Sequence, residues 1–305
     1  MSSKSRNSRF TRKSGKNGAK HADSARIDSA ARRRSQGSRS HGATGAPKSP
    51  KSGQKGPKRK GSGREGGSGW YWGAHACTAL LANPRRTLHE ILLTEHSAER
   101  YSLPKGIIAP NIVQPNVIDR LVGRDAAHQG IAIKAAPLEW PDLETLADKD
   151  GGGLILVLDQ ITDPHNVGAM VRLCSAFGVR ALVMQTRKAP PLSGALAKVA
   201  VGCLETVPVC LETNIANTLQ NLQRIGWMVT GLAGETDMEI KEAVAGGGKH
   251  VIVMGAEGPG LRERVRKTCD QLAKIPMLSE AVAGQAESLN VATAAAIALY
   301  EARRK

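Results

Sequence analysis

Short apolar runs alternate with helical patterns through the second half of this 305-residue chain. Four runs have the length and composition of buried strands, at residues 154–158, 181–184, 227–232 and 251–254. Apolar side chains recur at helical spacing in residues 167–177, 195–201, 215–225, 262–271 and 290–303. Strands that alternate with helices are joined by right-handed crossovers. The pattern therefore predicts an α/β domain at 154–305, with a parallel sheet covered on both faces.

The pattern between residues 68 and 138 predicts a second, smaller mixed domain. A helix is expected at 73–81, and short buried strands are expected at 90–94 and 130–134. Three prolines between residues 104 and 118 predict loops or short elements there. Residues 139–153 are acidic and end in three glycines, which predicts a flexible linker between the two domains.

Residues 1–67 show neither pattern and are predicted to be a disordered basic tail. Residues 1–66 contain 19 Lys and Arg but three acidic residues, so this segment carries the whole net charge of +16. Its few branched apolar residues cannot offset the entropy lost on ordering. Such a polycation is expected to attract RNA phosphates. A solubilising tail and an organellar transit peptide are the alternatives.

Cysteine usage and hydropathy narrow the class of protein further. The five cysteines form no CxxC pair and are odd in number, which argues against a metal site or a disulfide framework. They are expected to be small buried residues in a reducing compartment. No apolar stretch reaches the roughly 20 residues that span a bilayer. A soluble, cytoplasmic protein with no membrane partner is expected.

The first polar motif follows the strand at 154–158 and enters the next helix. Ligands of open α/β sheets bind at such carboxyl ends of strands, where helix N-termini offer free N–H groups. Asn166 is predicted to be the N-cap of that helix. Arg172 falls outside the apolar stripe of the helix and could meet a phosphate or carboxylate. On spacing alone, a solvated surface arginine explains Arg172 more simply.

Two further motifs follow later strands. Met254-Gly255-Ala256-Glu257 leaves a strand and runs into two more glycines, which allow the backbone to approach a ligand closely. It matches neither a dinucleotide fingerprint nor a P-loop. A turn at a helix entry explains Glu257 equally well. Ile275-Pro276-Met277 precedes Ser288-Leu289-Asn290, where Ser288 or Asn290 is expected to cap the last helix, and capping alone would explain both residues.

In combination, these three ordered motifs resemble the SpoU/TrmH family of the SPOUT superfamily, the RNA 2′-O-ribose methyltransferases, over residues 154–305. The resemblance implies a deep trefoil knot in the parallel-sheet domain, a homodimer with its site near the interface, and S-adenosyl-L-methionine as cofactor. It places the cofactor on Met254, Gly255, Ala256, Ile275, Pro276, Met277 and Leu289. It places catalytic roles on Asn166, Arg172, Glu257, Ser288 and Asn290.

The resemblance assigns Arg172 to activation of the ribose hydroxyl. A guanidinium with a pKa above about 12 is a poor base. We therefore expect Arg172 to orient a phosphate and to stabilise the developing alkoxide. Residues 278–287 are about five residues longer than the usual connection in the family, so their contacts with the donor are in doubt.

The smaller domain narrows the expected substrate. Tyr71-Trp72-Gly73-Ala74-His75 and His128-Gln129-Gly130 look like the ribosomal-protein-like RNA-binding domain of bacterial enzymes that methylate a guanosine of 23S rRNA. This favours 23S rRNA as the substrate, with tRNA as the alternative. His75 and His128 are expected either to contact RNA or to be structural. The rival hypothesis is a non-catalytic RNA-binding factor in ribosome assembly.

Overall fold

A computed structural model describes residues 69–149, 151–277 and 288–304, all within one compact unit. Residues 69–149 form a small mixed α/β domain around a four-stranded sheet of order β1-β4-β2-β3, in which only β2 and β3 run parallel. Its elements are β1 (Trp70–Trp72), α1 (Ala74–Ala82), β2 (Leu88–Leu93), α2 (Glu95–Arg100), β3 (Asn111–Ile112), α3 (Pro115–Val122), β4 (Ile131–Ala135) and α4 (Leu143–Ala147).

The predicted helix and two strands of this domain are confirmed as α1, β2 and β4. The strand β1 is missing from the sequence prediction. All three of its residues are aromatic and buried, so no alternation of apolar and polar positions marks it. The proline-rich interval contains the two-residue strand β3 and the start of α3, with Pro115 in the first turn of the helix.

The interval 139–153 differs from the flexible linker that was expected. Asp142 accepts a hydrogen bond from the Thr145 N–H at 2.7 Å and thereby caps α4. Leu143 and Leu146 of this helix are buried against the larger sheet. The segment is therefore held by apolar packing, which the acidic composition and the glycines obscured.

Residues 151–304 form the larger domain around a six-stranded sheet. Its order is β10-β8-β9-β5-β6-β7, and every neighbouring pair is parallel. The elements are β5 (Gly153–Asp159), α5 (Pro164–Ala176), β6 (Ala181–Gln185), α6 (Gly194–Ala200), β7 (Val209–Glu212), α7 (Ile215–Arg224), β8 (Met228–Leu232), α8 (Ile240–Ala243), β9 (Lys249–Gly255), α9 (Glu263–Thr268), β10 (Gln271–Ala273) and α10 (Val291–Arg303).

Two apolar clusters cover the two faces of this sheet, as predicted. In β5, Leu156 and Leu158 belong to one cluster, whereas Ile155 and Val157 belong to the other. All seven residues of β5 are buried, which is typical of a central parallel strand. Helices α5 and α10 pack on the first face, and α7 packs on the second.

The sequence prediction missed two edge strands. Residues 262–271 were expected to form one helix, but α9 ends at Thr268 and β10 begins at Gln271. The Asp270 carboxylate between them accepts a hydrogen bond from the Val229 N–H at 2.7 Å and joins this turn to the sheet. The other missed strand, β7, has four residues. Strands this short carry too few positions for a period to be visible.

A buried interdomain cluster holds the two domains together. It consists of Tyr71, Asn83 and Arg86 of the small domain and Glu205 of the larger one. Arg86 Nη2 lies 2.8 Å from Glu205 Oε1, and the two side chains are only 2% and 7% exposed. Asn83 Nδ2 donates to the same carboxylate at 2.7 Å, while Arg86 Nη1 donates to the Tyr71 hydroxyl at 3.2 Å.

Burial and the paired charges together set the pKa values within this cluster. Burial alone would lower the pKa of Arg86, but its hydrogen bonds and charge interactions with Glu205 and Tyr71 raise the pKa above its ordinary value. Burial raises the pKa of Tyr71 despite the nearby guanidinium. The cluster therefore keeps Arg86 charged and the Tyr71 hydroxyl neutral.

Several expectations fall on residues outside the described ranges. The predicted disorder and RNA attraction of the tail lie there, as do the contacts of residues 278–287. The trefoil knot depends on the path through 278–287 and stays a prediction. Among the helices that are described, none is long and apolar enough to cross a membrane.

Candidate functional site

The three polar motifs emerge at one edge of the six-stranded sheet. Asp159 at the end of β5 pairs with Gly255 at the end of β9. Ala273 at the end of β10 pairs with Leu232 at the end of β8, which lies beside β9. Because these strands are parallel, the segments that follow them all leave at the carboxyl edge of the sheet. Chain topology thus brings together residues separated by more than 100 positions.

Asn166, Glu257 and Asn290 form a hydrogen-bonded group at this edge, which we call the edge cluster. Asn290 Nδ2 donates to Asn166 Oδ1 at 3.0 Å and to Glu257 Oε1 at 3.1 Å. The Val291 N–H also donates to Glu257 Oε1 at 3.3 Å. Each of the three motifs contributes one side chain. The cluster is accessible to solvent, because Glu257 and Asn290 are exposed.

Asn290 is also the N-cap of α10, which confirms one of the two capping residues expected from the sequence. Its Oδ1 accepts hydrogen bonds from the N–H groups of Ala292 at 2.9 Å and Thr293 at 3.3 Å. The oxygen of the amide therefore caps the helix while its nitrogen bridges the edge cluster. Ser288 is exposed and makes no hydrogen bond to another described residue.

The prediction that Asn166 caps α5 is wrong. Asp163 is the N-cap, and its carboxylate accepts a hydrogen bond from the Asn166 N–H at 3.0 Å. Pro164 occupies the first turn, where its fixed φ favours the start of a helix and its missing N–H is no loss. Because Asp163 performs the capping, the side chain of Asn166 is free to bond Asn290.

Arg172 is not part of the edge cluster. It lies six residues beyond Asn166 on α5, which corresponds to about 9 Å along the helix axis. Its side chain is exposed and has no hydrogen bond or ion pair with any other described residue. Within one copy of the chain, Arg172 is therefore a solvent-facing guanidinium on the helix that carries Asn166.

The loop after β9 is closely packed on itself. Ala256 and Gly260 exchange two backbone hydrogen bonds, at 3.2 and 2.9 Å. A Cβ atom on Gly255 would lie 2.2 Å from the carbonyl carbon of Gly260, so no side chain fits there. Added Cβ atoms on Gly258 and Gly260 would meet nothing within 4 Å. The loop is thus tight at its base and open toward solvent.

The expected donor residues differ in accessibility. Met254 as a whole is 2% exposed and packs in the sheet core, so its side chain is closed to a ligand. Ile275 and Leu289 are partly buried, Pro276 is exposed, and Met277 is 41% exposed. The edge thus combines apolar side chains with glycine-rich backbone. This chemistry fits a ligand that has both an apolar ring and polar groups, as S-adenosylmethionine does.

Asp159, which directly follows the strand predicted at residues 154–158, has a role that was not predicted from the sequence. It is fully buried at the end of β5, and it accepts hydrogen bonds from the Arg262 backbone N–H at 2.9 Å and from Arg262 Nε at 2.7 Å. These bonds anchor the far end of the loop that carries Glu257. The available signal was an aspartate that directly follows six buried apolar or glycine positions.

The structure separates the two histidines of the small domain. His75 is exposed on α1. His128 is mostly buried: its Nε2 lies 3.2 Å from Asp119 Oδ1, and its Nδ1 accepts the Gly130 N–H at 3.0 Å. These contacts favour the structural interpretation of His128. The adjacent Gln129 accepts hydrogen bonds from the Ala74 N–H and from Lys198 Nζ of the larger domain.

The cysteines of the described residues are free thiols, three of them buried. Cys77, Cys174 and Cys210 are buried thiols, and burial raises the pKa of Cys210 to about 11. Within residues 69–149, 151–277 and 288–304, no group of three or more His, Cys, Asp or Glu side chains could hold a metal ion.

Comparison with known protein families covers both domains. Residues 153–300 match the model of the SpoU rRNA methylase family. Residues 70–141 match the model for RNA 2′-O-ribose methyltransferase substrate binding. The two matched regions correspond closely to the larger and the smaller domain of the structure.

Relatives and solved structures agree with these matches. The chain is 38% identical over 245 residues to the 23S rRNA (guanosine-2′-O-)-methyltransferase RlmB of Vibrio vulnificus, an alignment that covers 77% of this chain and 96% of the relative. It is 39% identical over 240 residues to the RlmB of Ralstonia nicotianae, covering 76% and 94%. The fold resembles the SpoU methyltransferase AviRb of Streptomyces viridochromogenes, with a TM-score of 0.62, 19% identity, and coverage of 76% and 88%. The chain therefore belongs to the SpoU rRNA methylase family and is an RNA 2′-O-ribose methyltransferase.

Proposed function

We propose that this protein transfers a methyl group from S-adenosylmethionine to the ribose 2′-hydroxyl of a guanosine in 23S rRNA. The edge cluster carries the proposal, because one side chain from each of three distant motifs meets at the carboxyl edge of the sheet. The substrate follows from the relatives, whose names specify a guanosine of 23S rRNA. The small domain, which matches a substrate-binding model, supports an RNA ligand.

In this proposal, the methyl donor S-adenosylmethionine binds to the loops that leave β9 and β10. Gly255, Ala256 and the open glycines after them offer backbone groups, and Ile275, Met277 and Leu289 offer apolar contact. When bound, S-adenosylmethionine supplies a methyl group already activated by its sulfonium. The chain then has to supply alignment and charge stabilisation, which are the larger contributions of proteins to such transfers.

The polar side chains have separate tasks in this proposal. The edge cluster orients the ribose, because the Glu257 carboxylate and the two amides offer acceptors and donors at fixed positions. Arg172 binds a phosphate beside the reacting ribose and stabilises the negative charge that develops on its 2′-oxygen. Ser288, which has no described partner, is available for a further hydrogen bond to substrate.

A second copy of the chain brings Arg172 to the site. We propose a homodimer that acts in the cytoplasm. Two observations support it: Arg172 is exposed and unpaired within the described residues, and Tyr300 of α10, the helix packed on α5, is 51% exposed. Light scattering of the purified protein should give twice the chain mass, whereas a monomeric mass at micromolar concentration would contradict the dimer.

The direct test combines methyl transfer with site mapping. Purified protein, labelled S-adenosylmethionine and 23S rRNA lacking the modification should yield label at one guanosine 2′-oxygen. Arg172→Ala should lower the turnover number by about a hundredfold or more, since charge-stabilising groups contribute on that order. Its unfolding midpoint should not change, because the side chain is exposed.

Arg224→Ala is the matched control, because it removes another exposed arginine at the opposite edge of the sheet. It should leave turnover unchanged. Label on a base, or on tRNA in preference to 23S rRNA, would overturn the proposed substrate.

A further inference from the structure

A basic loop leaves the sheet at the same carboxyl edge as the edge cluster. It comprises residues 186–193, between β6 and α6. Met184 of β6 pairs with Leu158 of β5, so the chain leaves β6 next to the exit of β5. That neighbouring exit leads into α5, which carries Asn166. The basic loop therefore lies at the same carboxyl edge as the proposed site.

Two cations of this loop face solvent without a partner. Arg187 and Lys188 are exposed, and neither forms a hydrogen bond or an ion pair with another residue in the described part of the chain. Lys188 has φ of +73°, and Gln160 at the neighbouring strand exit has φ of +63°. Such left-handed backbone is strained in a non-glycine residue and is concentrated at functional sites.

The other end of the basic loop touches the small domain. Ser193, which precedes α6, accepts a hydrogen bond from the Gly69 N–H at 3.3 Å. One turn into α6, Lys198 donates to the Ala127 carbonyl at 2.8 Å. Pro190 is buried and Pro191 follows it, which restricts the conformations of the loop. The loop thus forms a constrained bridge from the catalytic edge to the substrate-binding domain.

We propose that Arg187 and Lys188 bind two backbone phosphates of the RNA strand where it passes from the small domain to the reacting ribose. This inference rests on the proposed function, because it concerns the path of the same substrate. An RNA that contacts the small domain and presents a ribose to the edge cluster would have its shortest path along the basic loop, because this loop contacts the small domain at one end and leaves the sheet at the carboxyl edge at the other. Exposed cations along such a path suit phosphates, since these carry charge whatever the base sequence. The planar guanidinium of Arg187 can bond a phosphate through two nitrogens, and Lys188 adds a point charge.

The experiment measures RNA affinity as a function of salt concentration, with full-length protein and a 23S rRNA fragment that contains the modified guanosine. Each lost phosphate contact lowers the slope of log affinity against log salt by about 0.7 for single-stranded RNA and about 0.9 for a duplex. The double variant Arg187→Ala/Lys188→Ala should therefore lose about 1.4–1.8 from this slope. Its loss of affinity between 50 and 200 mM salt should be roughly tenfold smaller than that of the wild type.

The matched control removes two cations at the opposite edge, with Arg224→Ala/Lys249→Ala. Both residues lie where α7 ends and β9 begins, at the amino edge of the sheet. The control variant changes the net charge equally but removes no proposed phosphate contact. Because the slope depends on the number of phosphate contacts, it should stay at the wild-type value. In methylation assays, the loop variant should raise KM for RNA and leave kcat within about twofold, because phosphate contacts position the substrate without joining the chemistry.

Two outcomes would overturn the inference. One is a salt slope of the loop variant equal to that of the wild type, and the other is an equal loss in the control variant. RNA binding is measured without S-adenosylmethionine, so failure of the methylation proposal is detected separately: in that case the wild type would transfer no label, whatever the slopes.

Discussion

The interdomain cluster and the edge cluster each centre on a glutamate, yet they differ in burial and in the charge of their partners. Glu205 is 7% exposed in its side chain and forms an ion pair with Arg86, which is itself 2% exposed. Glu257 is exposed, and its described partners are the amide of Asn290 and a backbone N–H. One carboxylate is neutralised by the protein, and the other remains available to a ligand.

This contrast separates a structural role from a functional one. A buried charge is costly unless it is paired, and the Glu205 carboxylate is paired with Arg86 and bonded by Asn83 across the two domains. An exposed carboxylate without a cation contributes little to stability and keeps free lone pairs. Changes at Glu205 should therefore act on stability, and changes at Glu257 should act on catalysis.

The largest effect is expected from Glu205→Ala. It leaves the Arg86 guanidinium buried without its counter-ion, which should lower the free energy of unfolding by about 3–5 kcal/mol. Denaturant unfolding followed by circular dichroism measures this. The control is Glu235→Ala, which breaks an exposed ion pair with Arg266 at 3.0 Å and should leave the free energy of unfolding almost unchanged. Equal losses of unfolding free energy in the two variants would show that the interdomain cluster stabilises the protein no more than an exposed ion pair does.

A smaller effect, confined to catalysis, is expected from Glu257→Gln. Hydrogen bonds to a charged group are worth about 1 kcal/mol more than neutral ones, so kcat/KM for methyl transfer should fall about fivefold. Stability should change by less than about 1 kcal/mol, because the side chain is at the surface. A loss of stability with unchanged kcat/KM would show that Glu257 stabilises the fold, as Glu205 does, and takes no part in catalysis.

A modest effect on stability is expected at Asn290, where Asn290→Ala removes the N-cap of α10 and should cost about 1 kcal/mol. Asn290→Ser keeps a capping oxygen but loses the amide nitrogen that bonds Asn166 and Glu257. This variant should recover most of the stability while methyl transfer stays reduced. If Asn290→Ser restored both properties, the bridge across the edge cluster would have no catalytic role.

The sequence alone determined the main elements and the family. In central strands such as β5 and long helices such as α5 and α10, the pattern of apolar and polar residues is visible within a short stretch of sequence. The local pattern therefore suffices to predict them. The motif residues were likewise recognisable because their order and their placement at strand ends are properties of the chain itself. Short edge strands and the helix α4 were not predictable, since too few positions record a period.

Only the tertiary structure decided which residues meet. Asn166 and Asn290 are 124 positions apart, and their bond depends on the order in which β9, β5 and their neighbours join the sheet. The roles of Arg86 and Glu205 depend on burial, which no local pattern indicates for these two charged residues. The same holds for the basic loop, whose importance comes from the contact between Ser193 and the small domain. Periodicity is a local property of the sequence, whereas strand pairing and burial arise from long-range packing. The candidate site depends on this long-range packing, because its residues come from distant parts of the chain.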